Sequence, residues 1–112
     1  MIQFIQQQLR QVGIRTTLRS LEAGQRVSLV ESVKDPMKAG MRLYYIGWSN
    51  STGEIDLAMR PLFHSESWAP ALANEGFYKN EKVDRLLDEA IAEPDKAKRA
   101  KLYEEVQTTI WN

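Results

Sequence analysis

The feature that most constrains this chain is the stretch RLYYIGWSNSTGEID, which runs from Arg42 to Asp56. Its first half contains an unbroken apolar and aromatic run, residues 43–46, which is typical of a strand buried on both faces. After Gly47 and Trp48 the sequence becomes small, polar and flexible. In open α/β sheets, ligands bind just beyond the carboxyl ends of the strands. The stretch therefore predicts a strand, Met41 to Trp48, that ends at a ligand-binding loop.

Composition limits the classes of protein that this chain can represent. Its 112 residues make at most one domain, and 43% apolar with 27% charged residues is ordinary for a globular protein. The 15 basic and 15 acidic residues cancel, which argues against a nucleic-acid binder, because such proteins usually carry a clustered positive excess. The chain has no apolar run long enough to span a bilayer. It also has no cysteine, which excludes disulfides and thiolate metal sites.

The first half of the chain predicts a βαβ-like order. Apolar residues at spacings of three and four predict a helix from Ile2 to Val12 that ends at Gly13. An alternating segment, Ile14 to Arg19, predicts a strand. A helix from Val27 to Lys34 then leads to the strand Met41–Trp48. This order suggests a right-handed parallel crossover, so we expect an α/β fold with a short parallel sheet and flanking helices.

The second half of the chain is predicted to be helical around one long surface loop. Ile55 to Met59 predict a short helix, and Pro61 to Phe77 predict the loop. Asn80 is a good N-cap for an amphipathic helix, and Pro94 with Asp95 opens a final one. Loops as long as this one inside a compact domain are often functional.

Both ends of the chain suggest an incomplete unit. The N-terminal segment MIQFIQQQLRQ predicts an amphipathic helix rather than a signal peptide. A secreted protein would therefore have lost its leader, or the chain begins inside a longer one, which is the account that the resemblance described below favours. No strand precedes this helix, and none follows the last helix at Trp111. Uncovered sheet edges and apolar faces lead us to expect that the isolated chain dimerises or exchanges elements.

The loop after the predicted strand supplies the candidate ligand-binding groups. Trp48 could serve as an apolar platform, although on sequence alone a packed strand-end aromatic is the favoured interpretation. Hydroxyl, amide and open backbone groups of the kind that orient a small polar ligand follow it, at Ser49, Asn50, Ser51, Thr52 and Gly53. The alternative is an ordinary solvated loop.

Other charged residues are weaker candidates for a site. Glu54 and Asp56 could act as paired carboxylates, but acids at a helix start are the better interpretation. Three arginines could bind ligand carboxylates bidentately, although a surface role is favoured for each one alone: Arg26, Arg42 and Arg60.

Catalysis is not expected. His64 is the only histidine, and without cysteine or an acidic cluster it is weak evidence for a metal. A triad of Ser51, His64 and Asp56 can be drawn, but it lacks a nucleophile-elbow motif. There is also no glycine-rich phosphate loop.

Several motifs together resemble the periplasmic solute-binding proteins of the peptide-type (family 5) ABC importers. The resemblance extends from Gln6 to Trp111 and is carried by Gly47-Trp48-Ser49, Gly53-Glu54, Pro61-Leu62-Phe63, Phe77-Tyr78 and Val83-Asp84. It implies a fragment of one lobe of a two-lobed binding protein, with residues 1–112 forming a single partial domain on the C-terminal side. It also implies a periplasmic carrier that needs no cofactor, catalyses no reaction and delivers its ligand to an inner-membrane permease.

The resemblance also implies a ligand. Oligopeptide and dipeptide carriers typically have an aspartate three residues after the tryptophan, where it grips the peptide's α-amine, and this chain has Ser51. A neutral hydroxyl cannot form the charge-assisted hydrogen bond that an aspartate carboxylate forms with an ammonium group. This departure favours glutathione or a similar modified peptide, bound by residues from Trp48 to Gly53. The alternatives are a dipeptide, oligopeptide or metal-chelate carrier of the same family, or a free-standing α/β interaction module.

Overall fold

The computed structural model describes residues 1–41 and 43–112. Helix α1 (Ile2–Gln11) confirms the first predicted helix and buries none of its residues. The chain leaves the helix through Gly13, whose φ of 86° lies in the left-handed region. There the Gly13 N–H donates to the Arg10 carbonyl at 3.1 Å. The predicted glycine stop is therefore confirmed.

Helix α2 (Ala23–Arg26) continues directly as a π-helical turn, Val27–Glu31. Glu22 begins this helix, and its backbone N–H donates to the Gln25 side chain at 3.4 Å. The helical segment therefore starts and ends earlier in the chain than the predicted helix from Val27 to Lys34. A short 3-10 turn, Pro36–Lys38, follows.

The predicted α/β fold with a short parallel sheet is wrong. Within residues 1–41 and 43–112, neither predicted strand belongs to a ladder, and the only β-type pairing is an isolated parallel bridge between Trp68 and Asn74. A strand is held by hydrogen bonds to a neighbour about 4.8 Å away, and the part of the chain that the structure describes offers neither segment such a neighbour. The apolar run after Met41 indicates a tendency to burial but does not supply a partner, and Leu43 remains 63% exposed.

Helix α3 (Ile55–Phe63) is longer than the predicted helix from Ile55 to Met59 and includes Pro61. It is followed by a 3-10 turn, Ser65–Ser67. The predicted surface loop is therefore helical at its start, and its middle is packed rather than solvated. Ser67, Ala69 and Asn74 are all buried.

The Asn74 side chain organises the segment after α3. Its amide nitrogen donates to the carbonyls of His64 and Tyr78, at 3.1 and 2.8 Å, and its oxygen accepts from the Tyr78 N–H at 2.9 Å. The Trp68 indole N–H donates to the same Tyr78 carbonyl at 2.8 Å. Because Asn74 is 1% exposed, these bonds replace water for backbone groups that would otherwise be buried without partners.

The last two helices confirm the predicted caps. Helix α4 (Glu81–Ala92) begins at Asn80, whose Oδ1 accepts from the N–H groups of Lys82 and Val83 at 3.0 and 3.3 Å. Helix α5 (Lys96–Trp111) begins at Asp95, which accepts from the Lys98 N–H at 2.9 Å. Each cap satisfies N–H groups that have no partner within the helix.

The hydrophobic core lies between α4 and α5 and is closed by α3. Its buried members are Val83, Leu86, Leu87, Ala90, Tyr103 and Val106, against which Met59 and Phe63 of α3 also pack. Full burial of such a side chain contributes roughly 1.5–3 kcal/mol.

The N-terminal half of the chain is much less packed than the C-terminal half. Among its described residues, Val30 is the one buried apolar side chain in the first fifty positions. The radius of gyration is 16.1 Å, above the ~13 Å expected of a compact domain of about this length. None of the helices in the described residues is long and apolar enough to cross a membrane.

Candidate ligand-binding site

The predicted ligand loop lies on the surface between an extended stretch and helix α3. Trp48 is 45% exposed, so about half of this residue faces solvent and the rest is covered by protein. The loop residues after Trp48 are also exposed, apart from Asn50, which is half-buried. The loop therefore faces solvent, and within the described residues no sheet supports it.

Asn50 and Thr52 shape this loop. The Asn50 Oδ1 accepts from the N–H and the hydroxyl of Thr52 at 3.0 and 2.8 Å, and its amide nitrogen donates to the Glu54 carbonyl. The Thr52 hydroxyl in turn accepts from the Glu54 N–H at 3.3 Å. This local pattern mimics a backbone turn, as asparagine often does. The two side chains have therefore already used much of the hydrogen-bonding capacity that a ligand would need.

The other polar groups of the loop face solvent. The hydroxyls of Ser49 and Ser51 are exposed and make no hydrogen bond with the described residues. Gly53 has a φ of 74°, and an added Cβ would meet nothing within 4 Å. Backbone conformation, rather than lack of space, is therefore what favours glycine at position 53.

Glu54 and Asp56, the predicted carboxylate pair, do not act together on one site. Asp56 accepts from Arg60 Nε at 2.9 Å and from the Tyr103 hydroxyl at 3.2 Å, so it joins α3 to α5. Burial, followed by the nearby Asp56 charge, raises the pKa of Tyr103 to about 12. Glu54 is exposed at the N-cap of α3. The helix-start interpretation is correct for both acids.

Arg60 is fully engaged within the fold. Besides Asp56, it donates from Nη1 to Asp88 Oδ1 at 2.8 Å and from Nη2 to the Leu87 carbonyl at 2.7 Å. Arg26 is paired with Glu31, and the neighbouring Tyr44 hydroxyl raises the pKa of its guanidinium. Arg42, the third candidate arginine, lies outside the described residues. Neither described arginine is available to a ligand carboxylate without first losing a partner.

His64 is buried, and its two ring nitrogens lie close to groups of the fold itself. Its Nδ1 accepts from the Glu66 N–H at 3.1 Å, and its Nε2 lies 3.4 Å from Asp88 Oδ1. An accepting Nδ1 places the proton of a neutral imidazole on Nε2, facing Asp88. Since the carboxylate of Asp56 is bound by Arg60 and Tyr103, the Ser51–His64–Asp56 triad does not form. No group of three or more metal-binding side chains occurs among the described residues.

One cleft was not predicted from the sequence. It has a volume of about 380 Å³ and lies between residues of 29–41 and 43–44 on one side and residues of 62–78 on the other. Its walls are mainly apolar and include Val30, Met41, Phe63 and Phe77, and Glu75 is the charged residue among the described residues that line it. The aromatic pair Phe77-Tyr78 was noted only as part of a resemblance, and no sequence spacing shows that it faces Val30.

A smaller cleft adjoins the predicted ligand loop. It has a volume of about 190 Å³ and is lined by Gly53, Glu54 and Ile55 on one side and by Lys96, Arg99 and Tyr103 of α5 on the other. Arg99 is partly occupied, because it donates to the Glu93 carbonyl at 3.4 Å. The end of the loop is therefore next to cationic side chains that are far from it in sequence.

Comparison with known proteins confirms the resemblance seen in the sequence. Over 110 residues, 98% of its length, the chain is 46% identical to the glutathione-binding protein GsiB of Escherichia coli strain K12, and the same values hold for GsiB of Shigella flexneri and of Shigella boydii serotype 4. The chain spans 21% of the length of these relatives. No protein-family model matches the chain.

Proposed function

We propose that this chain is part of the substrate-binding component of an ABC importer that captures glutathione in the periplasm and delivers it to a membrane permease. The observation that carries the proposal is the 46% identity over 110 residues to proteins named for glutathione binding. In this proposal, residues 1–112 are a single partial domain on the C-terminal side of a two-lobed protein.

The ligand contacts are assigned to the loop from Trp48 to Gly53. Trp48 offers an exposed apolar wall, and the solvent-facing hydroxyls of Ser49 and Ser51 supply hydrogen bonds. Asn50 and Thr52 contribute by holding the loop in shape, since their side chains bond to each other and to Glu54. Ser51 carries no charge, so the ammonium of the ligand is bound by another group.

The proposed role is to bind a ligand and not to catalyse a reaction. The relatives carry the name of a binding protein, and the two side chains that a hydrolase would need most are occupied. Asp56 is held by Arg60 and Tyr103, and His64 is buried against Glu66 and Asp88. Neither side chain makes a hydrogen bond with Ser51.

Calorimetric titration tests the proposal in two proteins. The first is the full product of the gene that encodes this sequence, and the second is the 112-residue chain. We expect the full product to bind glutathione more tightly than a dipeptide such as Ala-Ala. The chain alone should bind glutathione weakly or not at all, because a two-lobed protein closes both walls of its cleft around the ligand.

Three outcomes would contradict the proposal. Tighter binding of Ala-Ala than of glutathione would favour a dipeptide carrier of the same family, and no binding of either would favour an interaction module. Micromolar binding of glutathione by the 112-residue chain would show that a single lobe is sufficient.

Self-association of the isolated chain is a further part of the proposal. Exposed apolar side chains such as Phe4, Leu43 and Trp111, which are 62%, 63% and 90% exposed, support it. Light scattering between micromolar and millimolar concentration tests it, and a strictly monomeric species throughout would remove it.

A further inference from the structure

The 380 Å³ cleft is lined mainly by apolar side chains, which suit an apolar group. One wall comes from residues within 29–41 and 43–44, with Leu29, Val33 and Leu43, and the other comes from the end of α3 and residues 73–78, with Phe63 and Phe77. Its volume lies within the ~300–1,000 Å³ range of small-molecule sites, which are mostly apolar with a few polar groups.

Glu75 supplies an uncommitted negative charge in this cleft. It is half-buried, and its side chain makes no hydrogen bond or ion pair with the described residues. Burial, and then the charge of Glu31, raise the pKa of its carboxyl, and Arg26 offsets this only in part. Arg26 is itself paired with Glu31, so these three residues together leave one net negative charge at Glu75.

The charge of Glu75 determines which ligand fits. An anion would be repelled, and a neutral apolar molecule would leave the half-buried carboxylate without a partner. A compact ammonium would supply both a positive charge and hydrogen-bond donors, which make stronger bonds to a carboxylate than neutral donors do. An apolar group attached to the ammonium would fill the rest of the cleft.

We propose that this cleft binds a small primary amine with an apolar side group, whose ammonium is held by Glu75. The proposal does not rest on the glutathione-binding function, because none of the loop residues from Trp48 to Gly53 lines this cleft. Either function can therefore fail in experiment without affecting the other.

The test is a titration of the 112-residue chain with 2-phenylethylamine, in which binding is measured from the NMR chemical shifts of the backbone amides. Two molecules of similar shape serve as probe controls, neutral 2-phenylethanol and anionic 3-phenylpropionate. We expect saturable shifts for the amine at residues 29–44 and 73–78, with much weaker binding of the alcohol and none of the acid.

The matched variants are Glu75→Gln and Glu66→Gln. Glu75→Gln keeps the shape of the side chain and removes its charge, so the amine should lose roughly tenfold or more in affinity. The side chain of Glu66 is exposed and does not line the cleft, so Glu66→Gln should bind as the parent does. Unchanged circular dichroism would show that both variants are folded.

Four outcomes would overturn the proposal. They are absence of saturable binding of the amine, equal binding of the alcohol, unchanged amine affinity in a folded Glu75→Gln variant, and tighter binding of benzylguanidine than of the amine. The last would assign the cleft to guanidinium ligands instead.

Discussion

Arg60 and Asp88 join helices α3 and α4 through a hydrogen bond of 2.8 Å from Nη1 to Oδ1. Asp88 Oδ1 also lies 3.4 Å from Nε2 of His64, a buried nitrogen that has no hydrogen-bond partner among the described residues. The hydrogen bond from Arg60 lowers the pKa of Asp88. The side chain is 63% exposed, which screens the interaction and keeps its contribution small.

The lowered pKa of Asp88 predicts a pH dependence of stability. A carboxyl group whose folded pKa lies below its unfolded value of about 3.9 stabilises the fold above that pH and loses the contribution as the pH falls through the folded pKa. We therefore expect Asp88→Asn to be less stable than the parent at pH 7 and to lose less stability below about pH 4. Urea unfolding at several pH values measures this. Glu104→Gln, an exposed acid on α5, is the control, and a parallel pH dependence in all three proteins would contradict the prediction.

Asn74 is expected to be a main stabilising residue of the segment after α3. Replacing it with alanine removes two donated bonds and one accepted bond and leaves backbone groups of His64 and Tyr78 short of partners. Unsatisfied buried groups cost about 1–3 kcal/mol each, so we expect Asn74→Ala to lower the free energy of unfolding by at least about 2 kcal/mol. Asn112→Ala, the same change at the exposed C-terminus, should alter it by less than about 0.5 kcal/mol. Equal stabilities in denaturant unfolding would show that Asn74 is dispensable.

The helices of this chain could be predicted because their sequence cues are local. Asn80 and Asp95 cap α4 and α5 as expected, and the spacing of Val83, Leu87 and Ala90 places them in the core. A cap or an apolar stripe is decided by residues that are neighbours along the chain, so no knowledge of distant parts is needed.

The sequence led to the prediction of a sheet that the described residues do not form. The apolar run from Leu43 to Ile46 has the composition of a buried strand, but a strand depends on a partner that is not specified by its own residues. In the structure this segment pairs with no other strand among the described residues and is largely exposed. The cleft around Glu75 was missed for a related reason, because its two walls come from residues that lie on either side of positions 45–61 in the sequence.

Leu87 is expected to be one of the most sensitive core positions. It is 0% exposed between α4 and α5, so Leu87→Ala removes buried methyl groups and leaves a cavity. We expect the free energy of unfolding to fall by about 2–5 kcal/mol. Leu72→Ala is the matched control, since Leu72 is 53% exposed and should change stability only slightly. Similar losses in both variants, measured by urea unfolding, would mean that the α4–α5 core does not dominate stability.

Substitution of Trp48 is expected to change ligand affinity without changing the stability of the fold. Its side chain is 45% exposed, so Trp48→Ala should leave the unfolding midpoint of the chain nearly unchanged. In the full gene product, the same substitution should weaken glutathione binding by more than the ~1 kcal/mol expected of a peripheral contact, if Trp48 forms a wall of the site. Trp111→Ala is the control, because Trp111 is 90% exposed and is not assigned to the ligand. Unchanged glutathione affinity of Trp48→Ala in calorimetry would remove Trp48 from the site, whereas a large loss of stability would show that it packs against the fold.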